Sequence, residues 1–151
     1  MKMFNKLPLN KQELLTHLRE NSRVKLTTVS RKTNIPISTL FDLLKELQDH
    51  LIAKSTILLD FSNLGYHVKA QVILKVDRKQ KEKLKQHLFF HQNVNSIYKT
   101  NSGSDFIVET IHKNIKELDN FVESLHQKFN IEDHKIQYLI DDIKREGFVV
   151  G

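Results

Sequence analysis

The chain has 151 residues, a net charge of +6 at pH 7 and no cysteine. Disulfides, zinc–thiolate sites and a cysteine nucleophile are therefore excluded. Hydrophobic residues make up 39% of the sequence, which is enough to bury a core and argues against a disordered chain. No apolar run approaches the roughly 18 residues of a membrane-spanning helix, and Met1 to Lys11 lacks the apolar block of a signal peptide. We expect a cytoplasmic protein with no membrane partner.

The positive charge is denser in the N-terminal part of the chain. Residues 1–60 carry ten Lys/Arg and six Asp/Glu, whereas residues 61–151 carry fourteen and twelve. A basic balance favours nucleic acid over acidic partners. An ordinary solvated surface would have the same composition, so charge alone leaves both interpretations open.

A first helix is predicted from Asn10, which is a good N-cap and is followed three positions later by Glu13, as in a capping box. One apolar stripe follows, made of Leu14, Leu15 and Leu18. The helix is expected to end at Asn21 and Ser22.

A short second helix and a sharp break follow. Thr27 or Thr28 is expected to cap this helix, Val29 faces inward, and the helix stops near Asn34. Ile35-Pro36 then forces a break, because the residue before a proline is pushed out of the helical region and proline is tolerated at a helix start.

The third helix is predicted over residues 37–50. Its leucines are spaced by 4, 3 and 4 and form one buried face, namely Leu40, Leu44, Leu47 and Leu51, widened by Phe41 and Leu43. Three helices joined by tight turns are typical of a helix-turn-helix.

Residues 52–60 change character, because their β-branched and apolar content favours a strand and no helix cap precedes them. Ser62, Asn63 and Gly65 then predict a turn. We interpret this segment as a strand linking two domains.

The rest of the sequence alternates between strand and helix patterns. Strands are predicted over 67–76, 94–100, 105–111 and 134–143, and helices from Asp77 to about Phe90 and from Asn114 to Phe129. The first strand turns inward Val68, Ala70, Val72, Leu74 and Val76. The second of these helices turns inward Ile115, Leu118, Val122, Leu125 and Phe129. The last strand has Ile136, Tyr138 and Ile140 on one face.

The order β-α-β-β-α-β is the ferredoxin-like pattern. The predicted fold class is therefore α+β. A three-helix (winged-type) helix-turn-helix domain is expected over residues 1–51, a linking strand and turn over 52–66, and a ferredoxin-like βαββαβ domain over 67–151.

This combination resembles the Lrp/AsnC family of transcriptional regulators over nearly the whole chain. The segment LNKQELLTHLRENSRVKLTTVSRKTNIPISTLFDLLKELQDHLI looks like the DNA-binding half of that family, and NLGYHVKAQVILKV resembles the start of its regulatory domain. The resemblance implies a non-enzymatic DNA-binding protein without a cofactor. It implies a dimer built through the regulatory sheets, often assembled into octamers, that binds a palindromic double-stranded site. In many members it implies an amino acid or similar small effector.

The third helix of a helix-turn-helix enters the major groove with its N-terminal residues near base edges. We expect contacts to bases or nearby phosphates from Ile37, Ser38, Thr39, Phe41, Asp42 and Lys45. We expect contacts to the DNA backbone from Arg23, Lys25, Thr27, Thr28, Arg31 and Lys32. Each of these polar residues has an ordinary alternative role, as a helix-start residue or part of a solvated face. Asp42 repels phosphate unless it accepts a hydrogen bond from cytosine.

The loop from Asn101 to Asp105 resembles the effector loop of the family. The family often has Gly, two residues and then Asp, whereas here Gly103 and Asp105 are separated by one residue and Ser102 stands where the glycine is expected. The candidate effector residues are Ser102, Gly103, Ser104 and Asp105. The alternative is a plain β-turn with Gly103 at positive φ.

Two enzyme-like signals need to be weighed. His87 and His91 are four apart on a predicted helix, as two metal ligands can be, but the sequence supplies no third ligand, so no metal site is expected. Sirohaem decarboxylases share the two-part architecture. An enzyme of that kind needs a tetrapyrrole pocket, and His67, His112 and Arg78 are not brought together by sequence. A low-specificity architectural DNA-binding protein is the third alternative.

Overall fold

The structure is a computed structural model that describes residues 7–148. The described residues exclude 1–6, where the first predicted domain begins, and 149–151, where the last one ends. Among residues 7–148, none of the helices has the length and apolar composition that a membrane span requires. The chain forms two compact units, Met1–Leu58 with Ile143–Gly151, and Leu59–Asp142. The boundaries predicted near residues 51 and 66 stay predictions.

The first unit contains three helices, α1 (Leu9–Glu20), α2 (Leu26–Thr33) and α3 (Ile37–His50). They pack around side chains with no exposed surface, above all Leu14, Val29 and Leu40. The three predicted helices are confirmed, and α3 has the bounds that the leucine spacing and Pro36 predict.

The predicted helix caps are wrong at both α1 and α2. Pro8 is the N-cap of α1, and its carbonyl accepts from the N–H groups of Lys11 (3.0 Å) and Gln12 (3.1 Å). Its extended backbone starts the helix two residues before the predicted cap is reached, which leaves Asn10 inside the first turn. Lys25 takes the same position for α2, because its carbonyl accepts the first helical N–H groups and no side chain caps the helix.

The buried face of α3 is narrower than the leucine pattern predicts. Leu40 and Leu47 are buried, and Leu44 is half-buried. Leu51 is exposed and Phe41 is 62% exposed, so the expectation that they extend the core is wrong. Each helical residue turns about 100° from the last, and this rotation carries Phe41 away from the face occupied by Leu40.

The linking strand predicted over residues 52–60 is wrong for the single chain. These residues pair with no strand within residues 7–148, and the described part of the first unit contains no strand that could serve as a wing. A strand forms only where a neighbour satisfies its N–H and C=O groups. The predicted turn after it is confirmed, since Ser62–Leu64 forms one 3₁₀ turn and Gly65 has φ +85°.

The C-terminal segment belongs to the helical unit. The Arg19 guanidinium donates to the backbone carbonyls of Glu146 (2.8 Å) and Phe148 (2.9 Å) and lies 3.3 Å from the Glu146 carboxylate. These contacts attach residues 143–148 to α1.

The second unit has the predicted βαββαβ order, and the α+β class is confirmed. Its elements are β1 (Val68–Val76), α4 (Lys81–Phe89), β2 (Val94–Lys99), β3 (Phe106–His112), α5 (Ile115–Lys128) and β4 (Ile131–Tyr138). The strands form one antiparallel sheet in the order β2-β3-β1-β4. Alternate residues of β1 and β3 are buried in one core with the inward leucines of α4 and α5.

Two predictions at the edges of this unit are wrong. The strand β4 begins at Ile131, three residues before the predicted start at 134, and ends at Tyr138, five residues before the predicted end at 143. Tyr138 is the last residue of β4 and pairs with Ala70 of β1, and the Leu139 N–H then donates to the Lys69 carbonyl (2.8 Å). Ile140 lies beyond these contacts and is 96% exposed, and Tyr138 is also exposed. Ile115 is also exposed, since the first turn of α5 projects past the core.

Candidate nucleic-acid interface

The turn between α2 and α3 is built by three residues. Asn34 ends α2 in the left-handed conformation (φ +58°), which asparagine tolerates better than most residues, and its N–H donates to the Ser30 carbonyl (2.8 Å). Ile35 is buried, and Pro36 is the N-cap of α3. This compact connection fixes the angle at which α3 leaves α2.

The helix α3 is held from its inner side. Burial of Leu40 and Leu47 contributes about 1.5–3 kcal/mol for each side chain, and Lys11 of α1 forms an ion pair with Glu46. The pair is worth about 1 kcal/mol or less because Glu46 is half exposed. Apolar packing therefore fixes α3, and its opposite side is free of core contacts.

That opposite side presents a small set of exposed residues, which we call the recognition face: Ile37, Ser38, Phe41, Asp42 and Lys45. Helical spacing places Ile37, Phe41 and Lys45 in one row and Ser38 and Asp42 in the next. Thr39 lies at the margin and is half-buried. All six predicted residues of α3 are thus on or beside one surface near the start of the helix.

Cations flank the recognition face in the sequence elements around it. Arg23 and Lys25 precede α2, and Arg31 and Lys32 lie in its last turn; all four are exposed. None of the four has an ion pair within residues 7–148. Thr27 is exposed and Thr28 is half-buried in the first turn of α2. Exposed guanidinium and ammonium groups without internal partners are suited to phosphate contacts.

The predicted effector loop lies between β2 and β3. Gly103 has φ +80°, as a plain turn requires, and the Thr100 hydroxyl bonds the Ser104 carbonyl (3.0 Å) and hydroxyl (2.8 Å). Ser102 is exposed at the tip. These contacts are internal to the hairpin and close it without a ligand.

The carboxylate of Asp105 is already paired in the single chain. One oxygen accepts from the Val76 N–H (2.9 Å), and the other lies 2.9 Å from the Lys81 ammonium. The hydrogen bond from Val76, reinforced by Lys81, lowers the pKa of Asp105 against the opposing effect of burial. Sequence reasoning missed both partners, because neither the N–H of a strand end nor Lys81 is near Asp105 in sequence.

Three histidines of the second unit, His87, His91 and His112, pack against aromatic rings. The His91 ring centroid lies 4.9 Å from that of Phe121 and 5.7 Å from that of His87, and His112, 1% exposed, lies 5.4 Å from Phe121. Burial lowers the pKa of all three histidines. Within the described residues no group of three or more His, Asp or Glu side chains could hold a metal ion.

The chain is similar to known proteins both in sequence and in fold. No protein-family model matches the chain. The HTH-type transcriptional regulator FL11 of Pyrococcus horikoshii is 25% identical over 142 residues, which span 86% of this chain and 94% of the relative. Two solved structures share the fold. The transcriptional regulator NMB0573 of Neisseria meningitidis, in complex with L-Met, has a TM-score of 0.85 and 17% identity over 92% of this chain and 93% of its own. LrpC of B. subtilis has a TM-score of 0.83 and 16% identity over 93% of this chain and 99% of its own.

The sequence likeness and the fold likeness agree with each other and with the helix-turn-helix described above. The chain is similar in sequence to HTH-type transcriptional regulators and has the fold of the solved Lrp/AsnC-type proteins, so the resemblance predicted from the sequence is confirmed.

Proposed function

We propose that the chain is a transcriptional regulator that binds a specific double-stranded DNA site through α3. The observation that carries the proposal is the recognition face: an exposed surface on a helix fixed by buried leucines, flanked by cations that form no ion pair within residues 7–148. In this proposal the hydrophobic core holds α3 in place. The cations contact DNA phosphates, and the exposed side chains of α3 contact base edges.

Assembly supplies part of the affinity in this proposal. The helix α3 carries one lysine, Lys45, against three acidic residues, Asp42, Glu46 and Asp49. A recognition helix of this charge adds little to phosphate binding, whereas linked copies of the unit bind with a large gain in effective concentration. We propose a dimer or higher oligomer, such as an octamer, formed through the second unit. Two-fold symmetry then predicts a palindromic site.

A small effector, such as an amino acid, is the proposed regulator of this binding. The solved relative from Neisseria meningitidis holds L-Met. In this chain an effector amino group would compete with Lys81 for the Asp105 carboxylate. An effector shifts DNA binding only if it binds two states of the assembly with different affinity. We place the function in the cytoplasm, where DNA is accessible to a regulator.

The enzyme alternative has weaker support. His67 comes just before β1, whose first residue, Val68, pairs with His112. Arg78 follows the opposite end of β1, about 30 Å away by strand length, and His112 is buried. These three side chains do not line one tetrapyrrole pocket. A low-specificity architectural protein remains the competing DNA-binding function.

A footprint on a genomic fragment pool separates the two DNA-binding functions. A regulator protects discrete sites, whereas an architectural protein protects uniformly and its affinity follows salt concentration alone. The double variant Ser38→Ala/Thr39→Ala should weaken specific binding more than non-specific binding. The matched control is Ser55→Ala/Thr56→Ala, the same dipeptide in an exposed segment outside α3, which should leave both unchanged. An equal loss on both DNAs from the α3 variant would contradict the assignment of α3.

A further inference from the structure

Two large apolar side chains on the recognition face lie outside the described hydrophobic core. Phe41 is 62% exposed and Ile37 is 48% exposed, one turn apart on α3. The core of the first unit is closed on the other side of the helix by Leu40 and Leu47. Exposed surface of this kind is unfavourable in water, so contact with an apolar group would be favourable.

The polar inventory of the recognition face is short. It has no arginine, asparagine or glutamine, the residues that bond guanine or adenine edges with two hydrogen bonds. Its polar members are Ser38, Asp42 and Lys45. The major groove offers one apolar group to a protein, the C5 methyl of thymine. Among base-pair features, that methyl best matches Ile37 and Phe41.

The charges around the face favour DNA as the occupant over a second copy of the same face. The exposed cations Arg23, Lys25, Arg31 and Lys32 form no ion pair with another described residue. Two such faces packed together would bring like charges near each other, whereas a duplex supplies phosphates on both sides of its groove. The apolar side chains of the recognition face thus match thymine methyl groups, and the cations around it match the phosphates of the same duplex.

We propose that Ile37 and Phe41 read thymine methyl groups, so that each half-site contains at least one thymine recognised through its methyl. The inference rests on the proposed function and adds the chemical feature that α3 recognises. It makes Phe41 a specificity-determining residue rather than a residue of the core.

Replacing thymine by uracil tests this directly, because dU lacks only the methyl group. A site is first selected from random DNA with the full chain, and each dT of a half-site is then replaced singly by dU. At one or two positions the wild type should lose about fourfold in affinity, the effect of one methyl-sized apolar contact. Phe41→Ala should bind the dT and dU duplexes equally at its position.

Leu9→Ala is the control, because Leu9 is an exposed apolar residue of α1 in the same unit. It should keep the wild-type sensitivity to dU. Thermal unfolding and light scattering check that Phe41→Ala keeps its fold and oligomeric state. Wild-type affinity unchanged by dU at every half-site position would overturn the proposal, as would a Phe41→Ala protein that stays sensitive to dU. A selection that enriches no sequence would instead overturn the proposed function itself, together with this inference.

Discussion

Removing the Asp105 carboxylate should destabilise the second unit even without any ligand. Asp105→Ala leaves the N–H of Val76, a buried residue, without its side-chain acceptor, and an unsatisfied buried donor costs about 1–3 kcal/mol. The ion pair with Lys81 adds about 1 kcal/mol or less, because the two side chains are 20% and 33% exposed. We expect a loss of about 2–3 kcal/mol for Asp105→Ala and about 1 kcal/mol for Asp105→Asn, which keeps an acceptor oxygen.

The measurement is urea unfolding followed by tyrosine fluorescence. The chain has no tryptophan, and Tyr66, Tyr98 and Tyr138 all lie in the second unit. The signal therefore reports that unit. Because the pKa of Asp105 is lowered in the folded state, its contribution is present above its ordinary value of 3.8 and is lost as the pH falls through the folded value. The difference between wild type and Asp105→Asn should shrink below pH 3.8.

Asp119→Ala is the matched control, since Asp119 is an exposed carboxylate of α5 with no ion pair in the described part of the chain. It should change the free energy of unfolding by less than about 0.5 kcal/mol. If Asp105→Ala were as stable as this control, the Asp105 carboxylate would contribute nothing to the free energy of unfolding. The argument that an effector must compete with Lys81 for it would then be refuted.

Other changes give separate tests of the two units. Lowering the pH below 6.5 should reduce the unfolding free energy of the second unit, because burial lowers the pKa of His87, His91 and His112 and the unfolded chain then binds more protons. Lys128 opposes protonation of His87 and His91, whereas Glu117 favours protonation of His112. If the slope of unfolding free energy against pH were unchanged in His112→Leu, the role of this buried histidine would be contradicted. Leu40→Ala should destabilise the first unit by about 2–5 kcal/mol in thermal unfolding and abolish specific DNA binding, and a stable variant would refute the packing of α3. Gly103→Ala should cost about 1–2 kcal/mol, since φ is +80° and no atom lies within 4 Å of an added Cβ; a larger loss would mean that the loop is packed.

The helix-turn-helix could be predicted from sequence where a residue type leaves few choices. Pro36 cannot continue α2, and the leucine spacing selects one face, so the bounds of α3 were predictable. The N-cap of α1 is wrongly predicted at Asn10 because asparagine is a favourable N-cap residue. Proline near a helix start, here Pro8, also indicates the beginning of a helix. The sequence predicts Phe41 both as part of a wider core face and as a DNA contact, and its angle on the helix, which leaves it 62% exposed, agrees only with a position outside the core.

The edges of the sheet could not be predicted from local pattern. Strand β4 pairs with β1 only as far as Ala70–Tyr138, and residues 52–60 have the composition of a strand but no partner strand within the described part of the chain. Strand boundaries depend on pairing with distant residues, which periodicity does not record. The contacts of Asp105 with Val76 and Lys81 have the same origin, because the sheet brings together residues that are far apart in sequence.

The central claim is that α3 reads a specific DNA sequence, and footprinting the full chain on fragments selected from a random pool tests it most directly. The account predicts a discrete protected site with two half-sites related by two-fold symmetry, lost in Ser38→Ala/Thr39→Ala and kept in Ser55→Ala/Thr56→Ala. Uniform protection of every fragment, with an affinity that depends on salt alone, would contradict it.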